Sequence, residues 1–158
     1  MRVILEVLPL GAFMWFAVKS TLIDIRDHRL PNELTIKATI VLFSIFLIES
    51  LWAGNWGTWS RTLMAILQTL AVYLALFMLS RGSLGFGDVK FSIPCAAVVG
   101  WYCPEFWAAA IWFSFGSAAV TALTLRVKNG LTPGHALAFG PFMFLGTIMT
   151  ICPTLIGG

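Results

Sequence analysis

The sequence predicts an all-α integral membrane protein with six transmembrane helices, of which the fourth is short. Hydrophobic residues make up 59% of the 158 residues and charged residues only 11%, against roughly 25% charged residues in an average soluble domain. Apolar stretches near the length of about 20 residues that crosses a bilayer as a helix recur along the chain. We therefore expect residues 1–158 to form one domain whose apolar faces are solvated by the lipid bilayer.

Each predicted span ends near residues that interrupt helices. The first span contains Glu6 and is not followed by a small-residue cleavage site, which favours a retained membrane helix over a secretory signal peptide. Pro31 and Asn32 separate the first span from the second, Gly54 begins the turn before the third, and Gly82 follows the third. The predicted spans cover residues 3–21, 34–52, 59–79, 88–101, 105–125 and 135–155.

The fourth predicted span is too short to cross the bilayer as an ordinary helix. Residues 88–101 would rise only about 21 Å, less than the hydrocarbon thickness of about 30 Å, and they include Pro94. Short or interrupted helices at this depth are tolerated where the backbone lines a cavity. The fourth span is therefore the expected location of a functional site.

The basic residues are distributed unevenly between the two sides of the predicted bundle. The positive-inside rule places loops one, three and five in the cytoplasm and both termini outside. Trp52, Trp56 and Trp101 lie around loops two and four, as an interfacial aromatic belt does. The basic residues form no continuous run, so the net charge of +3 predicts no nucleic-acid partner. Eight of the ten basic residues lie in or beside the cytoplasmic loops: Lys19, Arg26, Arg29, Lys37, Arg81, Lys90, Arg126 and Lys128.

Two carboxylates are predicted to meet at the cytoplasmic face. Asp24 closes the first span and Asp88 opens the fourth, so both lie where a helix meets the same membrane surface. Two aspartates that share one proton can act as general base and general acid on one water, which is what peptide hydrolysis requires. Each residue also has a simpler interpretation, because Asp24 could be a solvated charge and Asp88 could be a helix N-cap.

Two glycines, Gly85 and Gly87, precede Asp88. Glycine can adopt positive φ and lets another backbone approach closely, so we expect a substrate backbone to lie here against the carboxylate. The pattern lacks the lysine and hydroxyl spacing of a phosphate-binding loop. Lys90 either helps to keep one aspartate ionised or anchors the helix at the cytoplasmic face.

The segments around the two aspartates resemble the signatures of the type IV prepilin peptidases, which are GxGD intramembrane aspartyl proteases. The first signature is an aspartate, six residues, and a proline followed by Asn or Asp, and residues 24–32 read DIRDHRLPN. The second is GxGD, and residues 85–90 read GFGDVK. Residues 139–141, FGP, resemble a third and weaker signature, although residues 137–138 are Leu-Ala where many relatives have Ile-Pro.

The resemblance implies an aspartic endopeptidase that removes the basic leader of prepilins or prepilin-like proteins at the cytoplasmic face of the cell membrane, in type IV pilus assembly or protein secretion. It implies no cofactor and no metal. Asp27 stands too close to the proline for the first signature and is assigned to the solvated loop. The implied catalytic pair is Asp24 and Asp88, and the implied substrate-binding or supporting residues are Gly85, Gly87, Lys90, Pro31 and Asn32.

Longer members of the family carry an N-terminal region with paired CxxC motifs and also N-methylate the new terminus. Cys95, Cys103 and Cys152 form no such motif, so the resemblance is to the short form that acts as a peptidase alone. We interpret the cysteines as buried apolar side chains, since a Cys103–Cys152 disulfide would need an oxidising compartment. His28 and His135 are single and unpaired, which predicts no metal site.

Two other classes of function stay open. A small transporter or a proton or cation relay would use the same carboxylates, because charged side chains inside a membrane are costly and usually functional. A relay needs carboxylates at several depths, and only Glu49 is available, near the far end of the second span. An inactive assembly partner of a pilus or secretion machine is the third class, and the intact Asp24 and Asp88 argue against it.

Overall fold

The computed structural model describes residues 2–27, 29–80, 84–129 and 137–156. Within these ranges the chain forms six α-helices and one 3₁₀ turn, Pro104–Phe106, and no β-strand. The predicted all-helical fold with six helices is therefore confirmed. In chain order the helices are α1 (Arg2–Asp27), α2 (Asn32–Ala53), α3 (Trp56–Leu79), α4 (Phe86–Tyr102), α5 (Trp107–Asn129) and α6 (Gly140–Ile156).

The chain is a multi-pass membrane protein. No more than 28% of the most apolar window of each long candidate span is buried inside the bundle, so large apolar side chains such as Trp112, which is 78% exposed, face outward. Such faces are stable when lipid surrounds them. α6 is a shorter apolar helix. In the described part of the chain the helices long and apolar enough to cross a bilayer are Val7–Asp27, Asn32–Ala53, Trp56–Leu79 and Pro104–Lys128.

The short helix α4 lies at the centre of the bundle. It packs against α1, α2, α3, α5 and α6, and ten of its 17 residues are buried, including the run from Cys95 to Gly100. The helix would rise about 26 Å, still less than the bilayer core. Its predicted shortness is confirmed, but an interruption is not found, because α4 continues through Pro94. Neighbouring helices therefore shield α4 from lipid.

The helix ends near the two aspartates differ from the predicted ends. α1 continues to Asp27, so Asp24 lies within the helix and does not close it. α4 begins at Phe86 with Gly85 as its N-cap, so the interpretation of Asp88 as the N-cap itself is wrong. α6 begins at Gly140, later than predicted, and the predicted start at residue 135 lies outside the described residues.

Aromatic packing and free thiols characterise the other end of the bundle. The ring of Phe46 on α2 stacks on that of Trp101 on α4, with centroids 4.3 Å apart. All three cysteines are free, and the Cys103 thiol donates a hydrogen bond to the Thr150 carbonyl at 3.8 Å. Cys95 and Cys103 are buried as expected, whereas Cys152 is exposed on α6, so its predicted burial is wrong.

Candidate active site

The start of α6 holds Asp24 inside the bundle. Only 5% of the Asp24 surface is exposed, and its Oδ2 accepts a hydrogen bond of 2.8 Å from the backbone N–H of Gly140. The first N–H groups of a helix have no partner within it and form the positive end of the helix dipole. The interpretation of Asp24 as a solvated charge is therefore wrong, because the carboxyl group is buried and hydrogen-bonded.

Asp88 is held by its own helix. It is the third residue of α4, and its Oδ2 accepts a hydrogen bond of 3.1 Å from the backbone N–H of Gly85. This is the backward contact that an acidic residue makes in the first turn of a capped helix. Gly85 has φ −72° and ψ 143°. The positive φ that the glycine pair was expected to supply is not used at either glycine, since Gly54 alone has positive φ among the described glycines.

Leu30 joins the three segments that form the site. A Cβ atom placed on Gly87 would lie 3.2 Å from Leu30 Cβ, and one placed on Gly140 would lie 3.1 Å from Leu30 Cδ2. The starts of α4 and α6 therefore approach the loop between α1 and α2 closely because both have glycine at these positions. The chain itself makes the close approach that we expected a substrate to make at Gly87.

A hydrogen bond connects the two sequence signatures. Lys90 Nζ donates to Asn32 Oδ1 at 3.1 Å, across 58 positions of sequence, and Nζ lies 4.9 Å from the centroid of the Phe86 ring. Pro31 is the N-cap residue of α2, with extended backbone, and its carbonyl accepts from the Thr35 hydroxyl at 3.2 Å. Lys90 and Asn32 thus hold the start of α4 against the start of α2.

Both aspartates line one pocket at this end of the bundle. The pocket has a volume of about 300 Å³, near the lower limit of ligand sites, about 300–1,000 Å³. The two carboxyl groups are close enough to interact electrostatically. Pro31 is not among the lining residues, and neither is Asp27, which is exposed at the end of α1. The lining residues are Asp24, Arg29, Leu30, Asn32, Gly85, Phe86, Gly87, Asp88 and Lys90.

The chemistry available in this pocket is acid–base chemistry on a water molecule. One carboxylate can accept a proton from water while a carboxylic acid protonates the substrate, if the pair holds one proton between them. Among the described residues, no group of three or more His, Cys, Asp or Glu side chains could hold a metal ion, and His28 and His135 lie outside those residues.

A second and larger groove carries no such groups. It lies between α5 and α6, has a volume of about 570 Å³, and has no titratable side chain among its lining residues. A groove without an acid or a base cannot supply the proton transfers that amide hydrolysis needs. The pocket with the two aspartates is therefore the candidate active site. The groove is lined by Phe106, Ala109, Phe113, Met149, Thr150, Pro153 and Thr154.

Four residues of the site were not predicted from the sequence. Arg29 and Leu30 lie among the six unspecified positions of the first signature, and Phe86 is the unspecified position of GxGD. Gly140 lies in the weak FGP element, which was the signal that could have identified it. The sequence does not show that Gly140 contacts Asp24, because this hydrogen bond joins residues 116 positions apart.

Comparison with known protein families gives a match over most of the chain. A sequence model of the type IV leader peptidase family matches residues 11–157. The matched range is nearly the whole chain and includes both aspartates, the loop that carries Leu30 and the start of α6. No curated protein and no solved structure gives a significant match.

Proposed function

Because the chain belongs to the type IV leader peptidase family, and is therefore an aspartic peptidase embedded in the membrane, we propose that Asp24 and Asp88 are its catalytic pair. In this proposal the enzyme cleaves the basic leader from prepilins or prepilin-like proteins at the cytoplasmic face. The observation that carries the proposal is that both aspartates line one pocket of about 300 Å³. Neither the small cavity beside Tyr73 nor the groove between α5 and α6 is lined by a carboxyl group.

The reaction follows from a pair that shares one proton. The ionised aspartate takes a proton from water as the water oxygen bonds to the scissile carbonyl carbon, and the protonated aspartate gives its proton to the carbonyl oxygen. Collapse of the tetrahedral intermediate then breaks the C–N bond. The aspartate that took the proton from water gives it to the leaving nitrogen, and the other aspartate takes a proton from a hydroxyl of the intermediate as the new carboxyl group forms, so the pair again holds one proton. One backbone N–H orients each carboxyl group, from Gly140 for Asp24 and from Gly85 for Asp88, which limits reorganisation during the reaction.

The depth of the pocket suits a substrate that leaves the membrane at the cut site. The pocket is formed by the last turns of α1, the loop before α2 and the start of α4, so it lies at one end of the bundle. A peptide carbonyl inside a membrane helix is tied up in hydrogen bonds, and hydrocarbon supplies no water. A leader followed by an apolar helix exposes its scissile carbonyl where the helix meets this boundary.

The cytoplasmic orientation is supported by charge. Lys19, Arg26 and Arg29 lie on or just after the last part of α1, and Lys90 lies in the first turns of α4. Basic residues at the membrane boundary favour the cytoplasmic side. A proton or cation relay fits less well, because both aspartates lie at one end of the bundle.

The decisive experiment is co-expression of a candidate prepilin with Asp24→Asn and Asp88→Asn variants. Asparagine keeps the shape of the side chain and cannot exchange a proton, so we expect each variant to abolish leader removal, measured by gel shift and by mass spectrometry of the new N-terminus. Asp27→Asn is the matched control, since Asp27 is exposed and does not line the pocket. A variant that reaches the membrane and still cleaves at the wild-type rate would remove its residue from the pair.

A further inference from the structure

We propose that Gly140 is a positioning residue of the active site, whose backbone N–H fixes the Asp24 carboxyl group in the orientation that cleavage requires. This inference rests on the proposed function of Asp24. It adds the start of α6 to a site whose carboxylates come from α1 and α4.

The hydrogen bond is short and enclosed. Gly140 N–H donates to Asp24 Oδ2 at 2.8 Å, and the contact is buried. Hydrogen bonds to an ionised acceptor are shorter and stronger than those between neutral groups, and low polarity around the pair strengthens them further. A donor at this position therefore favours one orientation of the Asp24 carboxyl group and favours its ionised form.

Position 140 has no room for a side chain. A Cβ atom there would lie 2.8 Å from Asp24 Oδ2, 3.4 Å from Asp24 Cγ and 3.1 Å from Leu30 Cδ2. The first distance is shorter than a van der Waals contact, so any other residue has to displace the carboxyl group. Asp24 is 5% exposed and lines the pocket, so the displaced group has to turn into the pocket or push against its neighbours, and either movement changes its orientation. Glycine is the residue that brings the N–H to this distance without displacing its acceptor.

Aromatic packing anchors the donor. Phe139 precedes Gly140, and its ring lies 4.7 Å from that of Phe115 on α5 and 6.4 Å from that of Tyr73 on α3, centroid to centroid. The carbonyl of Phe139 accepts the N–H of Met143 at 3.2 Å, which closes the first turn of α6. The start of α6 is thus fixed to two other helices, and the Gly140 N–H is held at a defined place.

The test is a set of three glycine-to-alanine variants in the full-length membrane enzyme. Gly140→Ala introduces the collision with Asp24. Gly146→Ala introduces a more severe collision on the same helix, but with the Ser114 hydroxyl and the Ala110 carbonyl. Gly116→Ala on α5 meets nothing within 4 Å. Gly146→Ala therefore measures the effect of disturbed packing away from Asp24. Gly116→Ala measures the effect of a glycine-to-alanine change that causes no collision.

For Gly140→Ala we expect kcat to fall about a hundredfold, the order of loss for a catalytic group displaced by about 1 Å, with little change in KM. We also expect the acidic limb of its pH–activity profile to move to higher pH, since the ionised form of the pair loses support. Gly146→Ala should lower thermal stability and leave the pH profile of the folded enzyme unchanged. Gly116→Ala should match wild type.

Three results would overturn the inference: wild-type kcat in Gly140→Ala, an unshifted pH profile, or a loss that Gly146→Ala reproduces in full. If Gly140→Ala does not accumulate, Phe139→Leu takes its place, because it loosens the anchor and adds no atom near Asp24. It should shift the acidic limb in the same direction by less, and no shift overturns the inference. Asp24→Asn in the same assay keeps the two proposals separate, since its activity would instead contradict the proposed function.

Discussion

Asp24 and Asp88 line the same pocket but are positioned in different ways. The hydrogen-bond donor to Asp88 is Gly85, three residues away in the same helix start. The donor to Asp24 is Gly140, 116 residues away at the start of another helix. Asp88 is partly exposed, whereas Asp24 is 5% exposed. One half of the site is therefore built by local sequence and the other half by the packing of α1 against α6.

The difference predicts how the two halves respond to change. A partly exposed carboxyl group at the start of a helix, such as that of Asp88, can shift slightly and still accept the hydrogen bond from the nearby backbone N–H. A buried carboxyl group can keep its donor only if the two helices keep their places, because packed interiors leave little free volume. Perturbations on the Asp24 side are therefore expected to cost more activity than equal perturbations on the Asp88 side.

The largest effect on leader cleavage is expected from a change of pH, because pH changes the protonation of both Asp24 and Asp88. A pair that holds one proton has no base when both members are protonated and no acid when both are ionised. Leader cleavage should therefore follow a bell-shaped profile and be lost at both extremes. The measurement is kcat/KM against pH in proteoliposomes, with circular dichroism to show that the helices remain folded. The two apparent pKa values belong to the pair, not to either residue.

A profile that is flat from acid to alkaline pH would contradict a shared proton. Asp27→Asn is the control, because its profile should superimpose on that of the wild type. If the Asp27→Asn profile moved with the loss of that exposed charge, long-range electrostatics would account for part of the wild-type shape.

A smaller effect is expected from Gly85→Ala, which tests the Asp88 half directly. A Cβ atom on Gly85 would lie 3.1 Å from Asp88 Oδ2, and the backbone of Gly85, with φ −72° and ψ 143°, is accessible to alanine. Asp88 is partly exposed and can give way, so we expect kcat to fall about tenfold, less than the loss of about a hundredfold estimated for a displaced group in Gly140→Ala. Both variants are measured in one cleavage assay, at equal amounts of folded enzyme. A loss in Gly85→Ala that equals or exceeds that in Gly140→Ala would contradict the expected greater sensitivity of the Asp24 side.

The contrast between local and long-range contacts also explains which features could be predicted from the sequence. The six helices and the short fourth helix follow from hydrophobic length, which a sequence displays directly. The aspartate pair and its glycines follow from two local signatures. Gly140 and Leu30 were missed as site residues because their roles depend on contacts between segments far apart in sequence. The end of α1 was placed too early, since burial of Asp24 lets the helix continue where exposed charge predicted an end.

The smallest effect on cleavage is expected from the exposed hydrogen bond between Lys90 and Asn32, which connects the two signatures. Lys90 Nζ donates to Asn32 Oδ1 at 3.1 Å in an exposed position, and exposed polar contacts contribute little, about 0.2–1 kcal/mol for charged pairs. We expect Lys90→Met and Asn32→Leu each to lower kcat/KM by about twofold to fivefold. The double variant should lose little more than either single variant, because the two substitutions remove one shared contact. Lys37→Met is the control, since Lys37 pairs with exposed Glu33 at 3.3 Å and does not line the pocket.

Two outcomes would change this view of Lys90. Fully additive losses in the double variant would mean that Lys90 and Asn32 act independently. A loss of a hundredfold or more in Lys90→Met, with Asn32→Leu near wild type, would mean that the ammonium group acts on the carboxyl pair itself, as an ionised neighbour of Asp88 can. The contact with Asn32 would then be secondary, and the Asp88 half would depend on charge as well as on its local helix start.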